Sequence, residues 1–200
     1  GGYAAQQGTV KIKKGTLIDK LAAYNNVLKT TAAKGGSGNY YNLANQTDGG
    51  ATIQNTANSY LISAPGYYRI PLVYGNAIAG GAPNTSSYVS SVSGYNQIID
   101  GHFTNIILPN FKDHNRQDIN SPYINVQNAS DPATQASLVW ADQSGLVENL
   151  SVTNSGQNSF VNFHVPADKI RNGNAVIAVK NASGTVMWSW HLWFDHSDAL

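Results

Sequence analysis

Hydrophobic and polar positions alternate most regularly in the last third of the chain. From Ser159 to Val165, Phe160, Asn162 and His164 fall on one face and Val161, Phe163 and Val165 on the other, and Pro166 ends the run. Asn174 to Lys180, then Asn181-Ala182-Ser183-Gly184, then Thr185 to Phe194 predict a hairpin. In its second strand Val186, Trp188, Trp190, Leu192 and Phe194 share a face, opposite Met187, Ser189, His191 and Trp193. The first face is large and apolar, as the wall of a sheet core must be. Upstream, Ser137 to Ala141, carrying Leu138-Val139-Trp140, and Leu146 to Thr153 read as strands parted by Asp142-Gln143-Ser144-Gly145. The expected structural core is Trp140, Phe163, Val176, Trp188, Trp190, Leu192 and Phe194.

Shorter signals precede this region. Ser59 to Ser63 predicts a strand, followed by a turn at Ala64-Pro65-Gly66. Tyr67 to Tyr74 contains Pro71, which cannot donate to a ladder, so it reads as an edge strand or as two strands meeting at a kink. Gly75 to Gly94 is a long small-residue loop. Phe103 to Leu108 and Tyr123 to Val126 read as strands, with the charge-dense Phe111 to Asn120 between them as a solvated loop or short helix. From Ser59 onward the candidates number about eight to ten, which predicts an all-β chain, a β-sandwich of immunoglobulin-like or Greek-key type. Lys11 to Lys29 reads either as an amphipathic helix, with Leu17, Leu21, Tyr24 and Leu28 on one side and Thr16 or Asp19 as cap, or as a small strand around Val10 and Ile12. Thr30 to Gly50 is polar and reads as a linker or long loop. The expected organisation is an N-terminal extension over 1–54 and a β-module over 55–200.

Composition narrows the functional classes. Twelve Lys and Arg against eleven Asp and Glu give a net charge of +1, with only 12% of residues charged, so no basic field points to nucleic acid. Cys is absent, which excludes disulfides, thiolate metal sites and cysteine nucleophiles. No apolar run approaches the length of a membrane span. The chain opens Gly1-Gly2-Tyr3 without an initiator Met and is expected to be a piece of a longer polypeptide.

Candidate chemistry is sparse. Phosphate-loop, dinucleotide, zinc-protease, nucleophile-elbow and EF-hand motifs are all missing. Asp100-x-His102 and Asp113-His114 could supply metal ligands but read as solvated loop residues, and His164 and His191 read as sheet residues. Glycosidase chemistry would need two carboxylates, for which Glu148, the single glutamate, with Asp142 as the second is a candidate pair, but Glu148 reads as wet at a bulge or edge. The residues therefore predict no catalytic group, no metal and no cofactor. What remains is a set of tyrosines beside Asn- and Ser-rich loops, where planar faces and amides together can hold a sugar ring. Tyr67, Tyr74, Tyr88, Tyr95 and Tyr123 are the candidate glycan or partner contacts.

Several strings carry a family resemblance. Gly173 to Lys180 followed by Gly184 to Trp193, with its Trp188-Ser189-Trp190-His191-Leu192-Trp193 element, resembles a motif of Bacteroidales surface proteins, the fimbrillin-like and related adhesin modules. Asn55 to Ile62, Ala64 to Tyr68, Pro71 to Ala77, Leu138 to Asp142, Gly145 to Val147 and Phe160 to Val165 resemble the same group. The likeness spans Asn55 to Asp195 and is diffuse between Asn84 and Asp131; Ser59 stands where such proteins often carry Cys. The resemblance implies an extracytoplasmic, outer-membrane-associated, non-catalytic module of a cell-surface or fimbrial protein, with other modules or subunits, or glycans, as partners. Strand exchange would then draw on Val10 to Lys14 or the tail after Asp195 as donor and on an edge left open by Pro71 as acceptor.

Overall fold

Strands form where the alternation is strongest, and short turns rich in Gly and Asn separate them. The computed structural model describes residues 19–90, 95–106 and 110–199, with the backbone alone at 95–99 and 103–106. Among them the order is α1 (Lys20–Thr30), β1 (Tyr41–Asn42), β2 (Ser59–Ile62), β3 (Gly66–Pro71), β4 (Ile78–Ala79), β5 (Ala82–Pro83), β6 (Tyr95–Ile99) and β7 (His102–Ile106). There follow α2 (Ile124–Gln127), β8 (Gln135–Ala141), β9 (Glu148–Thr153), β10 (Phe160–Val165), β11 (Gly173–Lys180) and β12 (Val186–Phe194). One sheet runs β1-β3-β10-β9 and a second β2-β12-β11-β8, with two small ribbons, β4-β5 and β6-β7. The chain is therefore mostly β. Tyr68, Ile70 and Phe163 from the first sheet and Ile62, Ile177 and Trp190 from the second join one buried cluster, an arrangement consistent with a β-sandwich.

The hairpin expected at the C-terminus is β11-β12, and Phe163, Trp190, Leu192 and Phe194 are buried as the alternation requires. Three expected core residues are placed differently. Trp140 is 53% exposed, because β8 is the free edge of its sheet and Trp140 points outward beside Val176. Val176 is half-buried on that outer side, while Ala175, Ile177 and Val179 point in. A bulge near the start of β12 pairs Lys180 with Val186 but Val179 with Trp188. The extra residue, Met187, is buried, whereas Val186 is exposed and Trp188 half-buried at the rim of the core.

Two strand assignments also change. β3 is an interior strand between β1 and β10, and Pro71 is its last residue. Leu72 donates to Ser159 across the β10 side, so the Pro71 nitrogen faces the β1 side, beyond the end of β1. Pro71 thus lies in an interior strand just past the end of its short edge neighbour β1, and the expected donor at Val10 to Lys14 lies outside the described residues. Tyr123 to Val126 is not a strand. It enters the single turn of α2, which Asn125 and Asn128 hold by bonding to the backbone at Ala133 and Ile124.

Residues 19–54 pack into the same core. Asp19 caps α1 through Ala22 N, Leu28 is buried, and β1 pairs in parallel with β3. Of the expected apolar face of α1, Leu21 and Tyr24 remain exposed, and Leu17 lies outside the described residues. Buried Asn42 ties the loop after β1 together, donating to the Gly50 and Thr52 carbonyls and accepting from Ala44 N. The polar stretch is ordered by its own amides, and Tyr41, Leu43 and Ile53 pack against the same buried cluster.

Candidate functional site

The five candidate tyrosines do not form one exposed cluster. Tyr74 and Tyr88 are buried, and Tyr67 and Tyr123 are half-buried. Tyr67 stacks on His164 with centroids 4.3 Å apart. Only the backbone of Tyr95 is described, so its side chain lies outside the described residues. Burial pushes the Tyr74 phenol pKa up, against a hydrogen bond from the Asn128 amide at 3.0 Å.

Of the five, Tyr74 and Tyr88 border a hollow beside the half-buried Trp188. Its ring meets Tyr74 edge-on at 5.1 Å, and its indole N–H donates to Asn58 Oδ1 at 3.0 Å. Trp188 and Asn58 stand between two open hollows. One, of about 430 Å³, is bordered by Val176, Val186 and His191. The other, of about 160 Å³, is bordered by Tyr74, Tyr88, Phe111 and Ile119. Phe111 is 69% exposed, so an apolar ring stands free at the far end.

Beside this groove lies a polar chain across the outer face of the second sheet. In the parallel pairing of β2 with β12, Ser59 faces His191. Ser59 Oγ is 2.7 Å from His191 Nδ1, and His191 Nε2 is 2.8 Å from Asn174 Oδ1. The Asn174 amide nitrogen donates to Asp142 Oδ2 at 3.0 Å, and its backbone N–H to Oδ1 at 2.8 Å. These bonds fix the direction of the links through Asn174. Because Asn174 Nδ2 faces the carboxylate, Oδ1 must accept from His191 Nε2–H. In the neutral ring that arrangement leaves Nδ1 as the acceptor for the Ser59 hydroxyl. Desolvation opposes ionisation of Asp142, but the hydrogen bonds from Asn174 and the nearby His191 outweigh it and hold the carboxyl below its ordinary value of 3.8.

A depressed carboxyl stabilises the fold above its unfolded-state pKa and loses that contribution as pH falls through the folded-state value. Below about pH 4 the wild type is therefore expected to lose part of its stability through Asp142, and Asp142→Asn to show a shallower acid dependence. Thermal melts of both proteins between neutral pH and pH 3 check this; parallel curves would show that the carboxylate anchors nothing.

The other sequence candidates stay apart. Glu148 pairs with Lys169 and lies 3.9 Å from His164, while Asp142 serves Asn174, so each carboxylate is engaged by its own partners. Asp113 accepts from Asn115, Gln117 and Gln127 and holds its own loop. Among the described residues no group of three His, Cys, Asp or Glu gathers as for a metal ion, and no helix is long and apolar enough to cross a membrane. Sequence reasoning placed Ser59 and Asn174 in strands without reading them or Asn58 as site residues, and it treated His191 and Asp142 separately. No family model, curated protein or solved structure matches this chain.

Proposed function

We propose that the chain is a binding and adhesion module of a cell-surface or fimbria-associated protein, and that the groove across Trp188 receives a glycan. The carrying observation is the aromatic partition itself: Trp188, fixed by Tyr74 and Asn58, divides two hollows rimmed by Phe111 on one side and His191 on the other. Aromatic faces beside side-chain amides suit a polyhydroxylated ring, whose C–H face stacks while its hydroxyls bond to the amides. The extracytoplasmic setting, the immunoglobulin-like or Greek-key form of the sandwich, and other modules or subunits as partners rest on the family resemblance and the strand pattern. The scarcity of charge supports binding by stacking and neutral hydrogen bonds rather than by electrostatic steering.

Glycan-array screening followed by calorimetry tests this. A hit is expected to weaken about tenfold, equivalent to about 1.4 kcal/mol, in Phe111→Ala, whose exposed ring contributes little to folding. Trp188→Ala is expected to weaken it further, and Tyr67→Ala to leave it unchanged. Silence across the array, or a hit indifferent to Phe111 and Trp188, overturns the reading.

A further inference from the structure

We propose that Ser59 is a base-activated nucleophile, with His191 as its general base, acting on carboxylic esters bound across the outer face of the second sheet. The proposal goes beyond binding. It rests on the glycan reading only for the alcohol part of the substrate, which that reading makes an O-acylated sugar.

The geometry supplies three requirements at once. Ser59 Oγ lies 2.7 Å from His191 Nδ1, within reach for proton transfer, and in the neutral ring with Nε2–H donated to Asn174 that nitrogen is the acceptor. The opposite ring nitrogen is held by Asn174, whose amide is oriented by the Asp142 carboxylate, so both the tautomer and the ring plane are set before any substrate arrives. The pair also stands between two spaces. His191 borders the hollow of about 430 Å³ beside Trp188, and Ser59 borders another of about 340 Å³ edged by Tyr41, Asn45 and Asn55. An ester laid across the pair has room for its alcohol on the Trp188 side and its acyl group on the other.

In the first step Ser59 Oγ bonds to the ester carbonyl carbon while its proton passes to His191 Nδ1 and the carbonyl electron pair moves onto oxygen. As that pair returns, the carbon–alkoxide bond breaks and the alkoxide leaves as the alcohol, taking the proton from Nδ1. Water then attacks the acyl carbon, giving a proton to Nδ1. The bond to Ser59 Oγ breaks, the proton returns to Oγ, and the carboxylic acid is released. The sum is ester plus water to acid plus alcohol.

A fluorophosphonate probe tests the nucleophile without any sugar, so its outcome is independent of the glycan screen. The native chain is expected to gain one phosphonyl adduct, located by peptide mass spectrometry on the segment containing Ser59. Ser59→Ala is expected to lose it, and His191→Gln to slow labelling about a hundredfold, the scale of general-base assistance. Circular dichroism establishes that each variant is folded, and the mapped adduct in the native chain serves if one is not. No adduct, an adduct elsewhere, or labelling of Ser59 that persists at the native rate in folded His191→Gln overturns the proposal. Labelling without any glycan hit would keep the nucleophile and discard the sugar.

Discussion

Trp190→Ala is expected to cost about 3–5 kcal/mol, the range for emptying a buried aromatic site. Trp190 is 1% exposed and pairs with Ile177 in the middle of the β11-β12 ladder. Neighbours such as Ile177 and Leu192 are themselves fully buried, so collapse into the void would have to move the sheet that carries them. Urea denaturation should show a lower midpoint at an unchanged slope. Trp140→Ala, at an exposed edge position, should move the midpoint by no more than about 0.5 kcal/mol in equivalent free energy. Equal losses at the two positions would mean that inner and outer faces have been exchanged.

That contrast marks where the alternation of residues was informative. A period of two separates faces along any regular strand, so Phe163 in β10 and Trp190, Leu192 and Phe194 in β12 were legible as core residues. It fails at a bulge, where one inserted residue reverses the faces beyond it. Met187 takes the buried place there, and nothing in Thr185 to Trp190 announces the insertion. Nor does alternation reveal which strand ends a sheet. Trp140 is exposed because β8 has a neighbour on one side only, and that depends on pairings made far along the chain. Of the two readings of Pro71, the edge strand fails and the break at proline holds: β3 ends there, and proline is tolerated in an interior strand because β1 stops short of its nitrogen.

The candidate site was less legible than the fold. Ser59 and His191 are 132 residues apart and meet only because β2 lies parallel to β12. Neither neighbourhood holds a nucleophile motif, so only the register brings hydroxyl and imidazole together. The tyrosines show the converse. Their loops are rich in Asn and Ser, which suggested exposure, but Tyr74 is covered by Trp188 and by the turn containing Asn128. The aromatic that does stand free in the groove, Phe111, belongs to the charge-dense segment read as a solvated loop or short helix.

Gly66→Ala is expected to detach residues 19–54 from the first sheet. Gly66 has φ +148°, a conformation side chains rarely adopt, and a Cβ there would lie 1.9 Å from the Lys34 carbonyl oxygen. Backbone strain alone costs about 1–3 kcal/mol. The clash adds to it, because Lys34 is fixed on both sides of that glycine, donating to the Pro65 carbonyl and accepting from Tyr67 N, each at 2.9 Å. Those two bonds contribute about 0.5–1.5 kcal/mol each and cannot survive the displacement an added methyl demands. Gly184→Ala is the control: its φ is +85° but nothing lies within 4 Å, so it should show strain without detachment. Limited proteolysis is the discriminating measurement, because it reports which segment opens. Early cleavage between 31 and 54 is expected in Gly66→Ala and not in Gly184→Ala. Native-like protection in both would show that Lys34 docks too loosely to matter. The consequence extends to the ester site, since Lys34 and Tyr41 border the same hollow as Ser59. Detachment should remove the wall against which an acyl group is held, so fluorophosphonate labelling, which needs only the Ser59–His191 pair, should survive in Gly66→Ala while turnover of longer acyl esters falls.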